Sequence, residues 1–402
     1  MGSLRVKPGL VPALLGAALV AGCGQTGGPF GNTEAPPTLA APTTPVQGKP
    51  LASAAGSTVG NGPTKVALVL PLTTAGGAPS AVGGALRNSA ELAYAESGSN
   101  DLTILVRDDR STPEGARDAT QGAINDGAEI VLGPLFAGDV REASRVARAA
   151  RRPVIGFSTD SGAAGRGTYL LSFMVEGYVD RIVDYAAAQG KKSFAALVPE
   201  NDYGNAALAE FQAAAARRGV RVQAIERYTP ATLTAAAGRI ATDLPQIDAL
   251  FIPDQADAMP GVGQALAASG VDSRKVQILG TGVWNDGRVL RTAALQGAWF
   301  ATPENAGFTA FAERYRAKYG ADPARIATLA YDAVSLAAAL ARTQGGQRFA
   351  EATLTNSSGF NGADGVFRFK PEGQSERGLA VVSIANGAMT TLSAAPRSFG
   401  SS

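Results

Sequence analysis

The chain has 402 residues, a formal net charge of +2 and 45% hydrophobic residues. This length exceeds what one hydrophobic core usually supports and predicts two lobes, and the small net charge argues against a nucleic-acid-binding protein. With no histidine and a single cysteine, the sequence excludes histidine-dependent catalytic centres, cysteine metal sites and an intrachain disulfide.

The first residues predict a secretory leader. Arg5 and Lys7 precede an apolar run over residues 10–21. That run is too short to span a bilayer as a helix, but it has the length of a signal-peptide core. We therefore expect a signal peptide over residues 1–22.

The leader ends in the segment VAGC, in which small residues precede Cys23. This arrangement resembles a bacterial lipobox, which implies that Cys23 is lipidated and becomes the first mature residue. Gly24 stands where an aspartate would resemble an inner-membrane retention signal. The resemblance therefore implies a lipid-anchored periplasmic protein, at the outer membrane more than at the inner. The alternative is a plain secretory leader with an incidental cysteine.

Residues 23–63 are predicted to form a disordered tether. They are rich in proline, glycine, threonine and alanine, and Glu34 and Lys49 are their only charged residues. Such a composition cannot bury enough apolar surface to offset the entropy lost on ordering. The predicted tether would hold a folded body away from a membrane surface.

A first series of strands and helices follows the tether. Apolar strand patterns alternate with helical patterns, and the predicted strands are 65–72, 102–106, 130–132 and 154–157. Strand–helix–strand order calls for right-handed parallel crossovers, so these strands predict a doubly wound lobe. Open parallel sheets bind ligands beyond the carboxyl ends of their strands.

A second α/β series begins near Glu176 and predicts a second lobe facing the first across a ligand cleft. We assign residues 64–172 plus about 300–343 to the first lobe, and 173–299 plus about 344–392 to the second. Near the end of the chain, residues 366–369 and 379–384 predict a closing hairpin, and Asn386-Gly387 predicts the next turn.

Three short motifs then carry a family resemblance: the GPL turn at Gly133, the strand end FST over 157–159 and the turn DYG over 202–204. With the order of elements, they resemble type 1 periplasmic binding proteins of the leucine/isoleucine/valine class over about 65–384. The resemblance implies an α/β fold of two doubly wound Rossmann-like lobes joined by a multi-strand hinge. It also implies closure around an amino acid, whose carboxylate meets hydroxyls and amides of the first lobe.

Within this class, the segments GTGVWND (280–286), QGAWF (296–300) and IATLAYD (326–332) look more like penicillin-binding protein activators. That resemblance implies a lipoprotein that acts on peptidoglycan synthesis through a penicillin-binding protein. The alternative function is the substrate-binding component of an ABC importer for amino acids or another small polar solute, with a permease as partner.

In the first lobe, Ser158 and Thr159 are candidate donors to a ligand carboxylate. Phe136 and Ala137 are candidate contacts beside them, and amides near Ala137 and Gly138, where a helix starts, are candidate donors to the same group. Local turn and cap chemistry is the alternative for the hydroxyls. Asp139 is predicted to be the N-cap of its helix rather than a ligand contact.

In the second lobe, Tyr203 matches a family position whose aromatic ring covers the ligand, and a solvated loop tyrosine is the alternative. Asp254 and Asp286 are candidate partners for a ligand ammonium. In the loop where the family usually places an acid, this chain has Gly-Val-Trp. Trp284 could stack on a flat or sugar-like ligand, or it could pack at the interface between the lobes.

Nothing in the sequence indicates an enzyme. It contains no GxSxG elbow, SxxK pair or GxxxxGK[ST] phosphate loop. We therefore expect no catalysis, no cofactor and no metal. The expected ligand is a small polar solute, an amino acid or a muropeptide-like molecule, and the expected membrane contact is the lipid anchor alone.

Overall fold

A computed structural model of the chain describes residues 56–400. The predicted leader, Cys23 and most of the predicted tether lie outside these residues. The last part of the predicted tether differs from expectation, because Ser57–Val59 form an edge strand. Within the described part of the chain, no helix is both long and apolar enough to cross a membrane.

The structure contains sixteen strands and eleven α-helices in the described residues. The strands are β1 (Ser57–Val59), β2 (Thr64–Leu70), β3 (Leu102–Asp108), β4 (Ile130–Leu132), β5 (Val154–Gly156), β6 (Thr168–Leu170), β7 (Ser193–Pro199), β8 (Arg221–Tyr228), β9 (Ala249–Phe251), β10 (Gln277–Gly280), β11 (Trp299–Thr302), β12 (Phe360–Gly362), β13 (Gly365–Phe369), β14 (Ser375–Arg377), β15 (Ala380–Ala385) and β16 (Ala388–Ser393). The helices are α1 (Ala81–Ser97), α2 (Pro113–Asn125), α3 (Ala137–Ala149), α4 (Val175–Ala188), α5 (Asp202–Arg218), α6 (Leu233–Asp243), α7 (Met259–Ala268), α8 (Gly287–Leu290), α9 (Asn305–Tyr319), α10 (Thr328–Thr343) and α11 (Glu351–Leu354).

The first lobe is built on a six-stranded sheet in the order β1-β3-β2-β4-β5-β6. Strands β2 to β6 pair in parallel, and only the edge strand β1 is antiparallel. Leu68, Ile104 and Leu132 of this sheet are fully buried, and α1 packs against α10 on the same lobe. The predicted α/β fold class is confirmed for this lobe.

The second lobe is built on a seven-stranded sheet in the order β16-β15-β11-β10-β9-β7-β8. Strands β7 to β11 are parallel, while β15 and β16 close the sheet in antiparallel fashion. The hydrophobic positions of these strands are buried on both faces, as expected of a parallel sheet covered by helices. Two sheets of mostly parallel strands therefore form the two lobes.

The predicted closing hairpin is wrong. Strand β13 pairs with β14, a three-residue strand that the sequence analysis did not predict, whereas β15 pairs with β11 and β16. The two segments therefore belong to different sheets. The predicted turn at Asn386-Gly387 does join β15 to β16, and both residues have the positive φ that such a hairpin turn requires.

Residues 344–378 were assigned to the second lobe from the sequence, but in the structure they belong to the first lobe. Phe349, Leu354 and Phe367 belong to the hydrophobic core of the first lobe, not the second. The small sheet β12-β13-β14 contributes Phe369 to the same core, where its ring lies 5.3 Å from that of Tyr169. Only β15 and β16 return to the second lobe.

Three connections join the lobes, at residues 171–174, 303–304 and 378–379. Side chains tie these connections together: Arg377 donates through Nε to the Ser172 carbonyl at 3.1 Å, and Arg325 donates to the Pro303 and Glu304 carbonyls. The arrangement agrees with the multi-strand hinge implied by the family resemblance.

Candidate ligand-binding site

The loops at the carboxyl edge of the first sheet lie together. Thr73, in the loop after β2, donates its amide and hydroxyl to the Asp108 carboxylate at the end of β3, at 3.1 and 2.7 Å. In the next loop, Phe157 donates its amide to the Pro134 carbonyl at 2.8 Å. The structure therefore brings the start of α3 and the Ser158-Thr159 strand end side by side, at the edge where parallel sheets bind ligands.

The GPL turn has a steric reason for its glycine. Gly133 has φ +87°, and a Cβ at this position would lie 2.0 Å from the Val69 carbonyl oxygen of the neighbouring strand. Any larger residue would push the turn away from the sheet. This close approach sets the position of the α3 N-terminus relative to β5.

Helix α3 begins without a side-chain cap. Phe136 occupies the N-cap position and is 45% exposed, and no side chain of residues 56–400 caps the first-turn amides. The amides of Ala137 and Gly138 are therefore available to an anionic ligand group. The predicted N-cap role of Asp139 is wrong, because this residue lies in the first turn and is buried.

Ser158 and Thr159 differ in their surroundings. Ser158 is buried, and its hydroxyl accepts from the Asp160 amide at 3.0 Å, which is the local turn chemistry considered as the alternative. A hydroxyl that accepts in this way retains its proton for donation to a ligand. Thr159 is exposed beside it. Whether either contacts a ligand stays a prediction.

Tyr203 lies at the carboxyl edge of the second sheet. It sits in the first turn of α5, which Asn201 caps by accepting from the Gly204 amide at 2.8 Å. Its hydroxyl lies 2.7 Å from the Thr281 hydroxyl at the end of β10. Burial raises the pKa of Tyr203 above its ordinary value, so the phenol stays neutral and able to donate. That the Tyr203 ring covers a ligand remains a prediction, although the contacts above define where the ring lies.

The other two predicted contacts of the second lobe are part of its core. Trp284 is fully buried, and its indole Nε1 donates to the Asp254 carbonyl at 3.2 Å. The Asp254 carboxylate accepts from the Tyr228 hydroxyl at 2.6 Å and the Gln255 amide at 2.7 Å. In this structure Trp284 offers no ring face to a ligand, and both oxygens of Asp254 already have donors. Trp284 therefore packs in the hydrophobic core of the second lobe, neither on a ligand nor at the interface between the lobes.

The second acid considered for an ammonium, Asp286, is also occupied. Its carboxylate caps α8 by accepting from the Arg288 amide at 2.8 Å, and it pairs with the Arg288 guanidinium at 2.9 Å. This pairing lowers the pKa of Asp286. Neither acid predicted for a ligand ammonium is left unpaired.

The acid that sequence reasoning missed is Glu176. It lies in the first turn of α4, and one of its carboxylate oxygens is buried without a partner among the described residues. Its charge is close enough to Tyr203 to help raise the pKa of the phenol. A carboxylate following a connection between lobes is the signal that could have identified it.

Glu176 lines a cavity of about 580 Å³ that residues of both lobes form. Ser161 lines it from the first lobe, Ala206 of α5 from the second, and Ser375 from the small third sheet. Ala206 lies one turn along α5 from Tyr203. The cavity thus places the unpaired acid next to Met174, in one of the connections between the lobes.

A sequence profile described as "Periplasmic binding protein" matches residues 63–388. No curated protein matches the chain significantly.

Solved structures resemble the chain over most of its length. A protein named for a branched-chain amino acid ABC transporter of Rhodospirillum rubrum has a TM-score of 0.72 at 19% identity, covering 82% of this chain and 99% of its own. The substrate-binding protein LivJ of Streptococcus pneumoniae, in complex with isoleucine, has a TM-score of 0.58 at 20% identity, covering 83% and 99%. A solute-binding protein of an ABC transporter of Rhodopseudomonas palustris, in complex with 3,4-dihydroxybenzoic acid, has a TM-score of 0.57 at 20% identity, covering 83% and 98%. At these identities the likeness shows the fold alone.

Proposed function

Because this chain belongs to the periplasmic binding protein family, we propose that it binds a small carboxylate-bearing solute between its lobes as the solute-binding component of an ABC importer. Its fold is the type 1 periplasmic binding fold implied by the sequence motifs. The solute leaves the cleft chemically unchanged in this proposal, and no cofactor takes part.

One observation carries the proposal. The hydrogen bond from the Phe157 amide to the Pro134 carbonyl, at 2.8 Å, sets the uncapped start of α3 beside Ser158 and Thr159. Free amides at a helix start, together with hydroxyl donors, suit a carboxylate. The ligands named for two structural neighbours, isoleucine and 3,4-dihydroxybenzoic acid, share that group.

The charge that the second lobe presents to the solute decides which class of solute fits. Glu176 supplies an unpaired carboxylate oxygen near Tyr203, which suits the ammonium of an amino acid. An aromatic acid would use the first-lobe donors and Tyr203 without Glu176. Both classes are therefore part of the test.

The carboxylate contact is tested at Ala137. Proline is tolerated at the first position of a helix, and Phe136 before it already has φ −86° and ψ 146°, which suit a residue preceding proline. Ala137→Pro therefore removes one amide donor while keeping the helix, and Ala137→Gly keeps the donor as the matched control. We expect calorimetric affinity for isoleucine or 3,4-dihydroxybenzoic acid to fall about tenfold in the proline variant only. Equal affinity in both variants would contradict the proposed contact.

The solute class is tested at Glu176. Glu176→Gln is expected to weaken isoleucine binding about tenfold and to leave 3,4-dihydroxybenzoic acid binding unchanged. Glu372→Gln, an exposed residue in the turn between β13 and β14, is the matched control. Absence of binding by both solutes and by their close analogues in the unmodified protein would count against the importer function.

The penicillin-binding protein activator function has less support. Its motifs have folding roles here: a Cβ on Gly280 would lie 2.2 Å from the indole of Trp284, and Asp332 accepts from the Ala363 amide at 2.6 Å. These roles account for the motifs without a partner protein, and the comparisons favour the importer alternative. Co-purification of a penicillin-binding protein with no response to any solute would reverse this preference.

We also propose that the protein is periplasmic and anchored through a lipid on Cys23, at the outer membrane more than at the inner. The proposal rests on the sequence around Cys23 and Gly24. Membrane fractionation of cells expressing the chain and its Cys23→Ala variant tests it. Equal membrane association of the two would contradict the anchor.

A further inference from the structure

A groove of about 460 Å³ lies on the first lobe, and none of its lining residues is a predicted solute contact. We call it the basic groove. Its walls come from α3 and from the segment between β5 and β6. The polar and charged residues that line it are Arg141, Ser144, Arg145, Arg148 and Thr168.

Positive charge is concentrated in the second half of α3 and in the residues just after its end. The segment 141–152 contains five arginines, at 141, 145, 148, 151 and 152, and its only acid is Glu142. In a chain with a net charge of +2, this is a strong local excess. Residues 141, 145 and 148 are spaced four and three apart, which places them on one face of the helix.

The arginines of the basic groove are only partly neutralised. Arg141 pairs with Asp160, and Arg145 pairs with Glu142 at 2.8 Å. Arg148 has no ion-pair partner within residues 56–400. Exposed ion pairs contribute at most about 1 kcal/mol each, so an anion of higher charge can replace the side-chain partners.

Ser144 supplies an independent observation. It is only 6% exposed, and its hydroxyl has no hydrogen-bond partner in the described part of the chain. A buried hydroxyl without a partner costs stability, so such groups normally have one. Ser144 lines the groove, so a rotation of its side chain about χ1 would bring this hydroxyl to a ligand oxygen there.

A plain structural reason exists for part of this pattern. A basic residue near a helix C-terminus, such as Arg148, favours the helix dipole, and exposed arginines keep a surface soluble. That reason explains neither the groove nor the unpartnered hydroxyl at its wall. A ligand with several negatively charged oxygens explains all three.

We propose that the basic groove binds a phosphate group. The planar guanidinium donates two parallel hydrogen bonds to phosphate oxygens, and three arginines on one helix face can surround such a group. Ser144 adds a neutral donor below them. The phosphate belongs either to a small soluble phosphate or to a phospholipid headgroup. The proposal is independent of the solute cleft, because none of the groove residues is a predicted solute contact.

The test uses the full chain and two probes. Inorganic phosphate is titrated by calorimetry, and vesicles of phosphatidylcholine with or without phosphatidylglycerol are used in co-sedimentation. The groove variants are Arg148→Gln and Ser144→Ala. The matched control is Arg274→Gln on the second lobe, whose side chain is 88% exposed and pairs with Asp272.

We expect both groove variants to weaken binding about tenfold, because each removes a hydrogen bond to a charged group, and the control to leave binding unchanged. Binding of inorganic phosphate that both groove variants weaken and the control variant does not supports the proposal with a soluble phosphate as the source. The other supporting result is that the protein sediments with phosphatidylglycerol vesicles even when free phosphate is present. If both groove variants weaken that sedimentation, the result supports the proposal with the lipid headgroup as the source. Binding of neither probe at millimolar concentration would overturn the proposal, as would equal loss in the groove variants and the control. Isoleucine affinity, measured in parallel, reports separately on the solute cleft.

Discussion

Asp109 makes the stability of this protein depend on pH. The residue follows β3, is fully buried, and has one carboxylate oxygen without a partner in the described structure. Burial, with smaller effects of the charges of Asp139 and Asp108, raises the pKa of Asp109 from 3.8 to about 7, although the Ser111 amide donates to it at 2.8 Å. The folded state therefore holds this proton more tightly than the unfolded state does.

The sign and size of the effect follow from proton linkage. A raised folded-state pKa contributes stability that is fully present below the unfolded pKa of 3.8 and is lost as the pH rises through about 7. The difference between these values, at about 1.4 kcal/mol per pH unit, gives about 4 kcal/mol. Asp109→Asn removes the titrating group but keeps its shape and its acceptor for Ser111.

The assay is urea unfolding followed by circular dichroism between pH 4 and pH 8. We expect the free energy of unfolding of the Asp109→Asn variant, relative to the unmodified protein, to increase by about 4 kcal/mol across that range. Asp118→Asn, an exposed position on α2, is the control and should change by less than about 0.5 kcal/mol. A difference between the Asp109→Asn variant and the unmodified protein that stays constant, or that falls as the pH rises, would refute this account of Asp109.

Three further predictions concern the core of the second lobe, and urea unfolding measures each of them. Trp284→Ala should lower the free energy of unfolding by about 3–5 kcal/mol because it empties a fully buried site. The control Phe136→Ala changes a side chain that is 45% exposed and should lower it by less than about 1 kcal/mol. Similar losses in the two variants would place Trp284 outside the core. Gly280→Ala should lower the free energy of unfolding by about 1–3 kcal/mol because the new Cβ would collide with the indole of Trp284. The control Gly261→Ala in α7, where a Cβ would have nothing within 4 Å, should be neutral or stabilising. A tolerated alanine at position 280 would contradict the close packing. Tyr228→Phe should cost about 2 kcal/mol at neutral pH because it removes the hydrogen bond to the buried Asp254 carboxylate, and an unchanged free energy of unfolding would show that bond to be dispensable.

The strands of both parallel sheets could be predicted because fully buried strands are continuous apolar runs. The pattern over 65–72 predicted β2, whose residues from 66 to 70 are fully buried. Short polar strands leave no such pattern. The three residues of β14 carry two charges, so their pairing with β13 was not visible and the closing hairpin was mispredicted.

The candidate site was likewise predicted only in part from the sequence. The start of α3 and the Ser158-Thr159 strand end were predicted to lie together, because adjacent parallel strands end at one edge. Asp254 and Trp284 also follow strand ends of the second sheet, yet their side chains turn into the core, where Tyr228 and Asp254 supply hydrogen-bond partners. Sequence position indicates the edge of a sheet but not the direction of a side chain.

The sequence by itself determined the two α/β series, the succession of strands and helices along the chain and the edge at which a ligand is expected, because these follow from the local apolar pattern and from the rule that parallel strands are joined by crossovers. Only the tertiary structure decided which acids remain unpaired. Glu176 and Asp109 each keep a carboxylate oxygen without a described partner, whereas Asp254 and Asp286 do not. That outcome depends on donors distant in the sequence or on local turn geometry, and neither is encoded in the hydrophobic pattern.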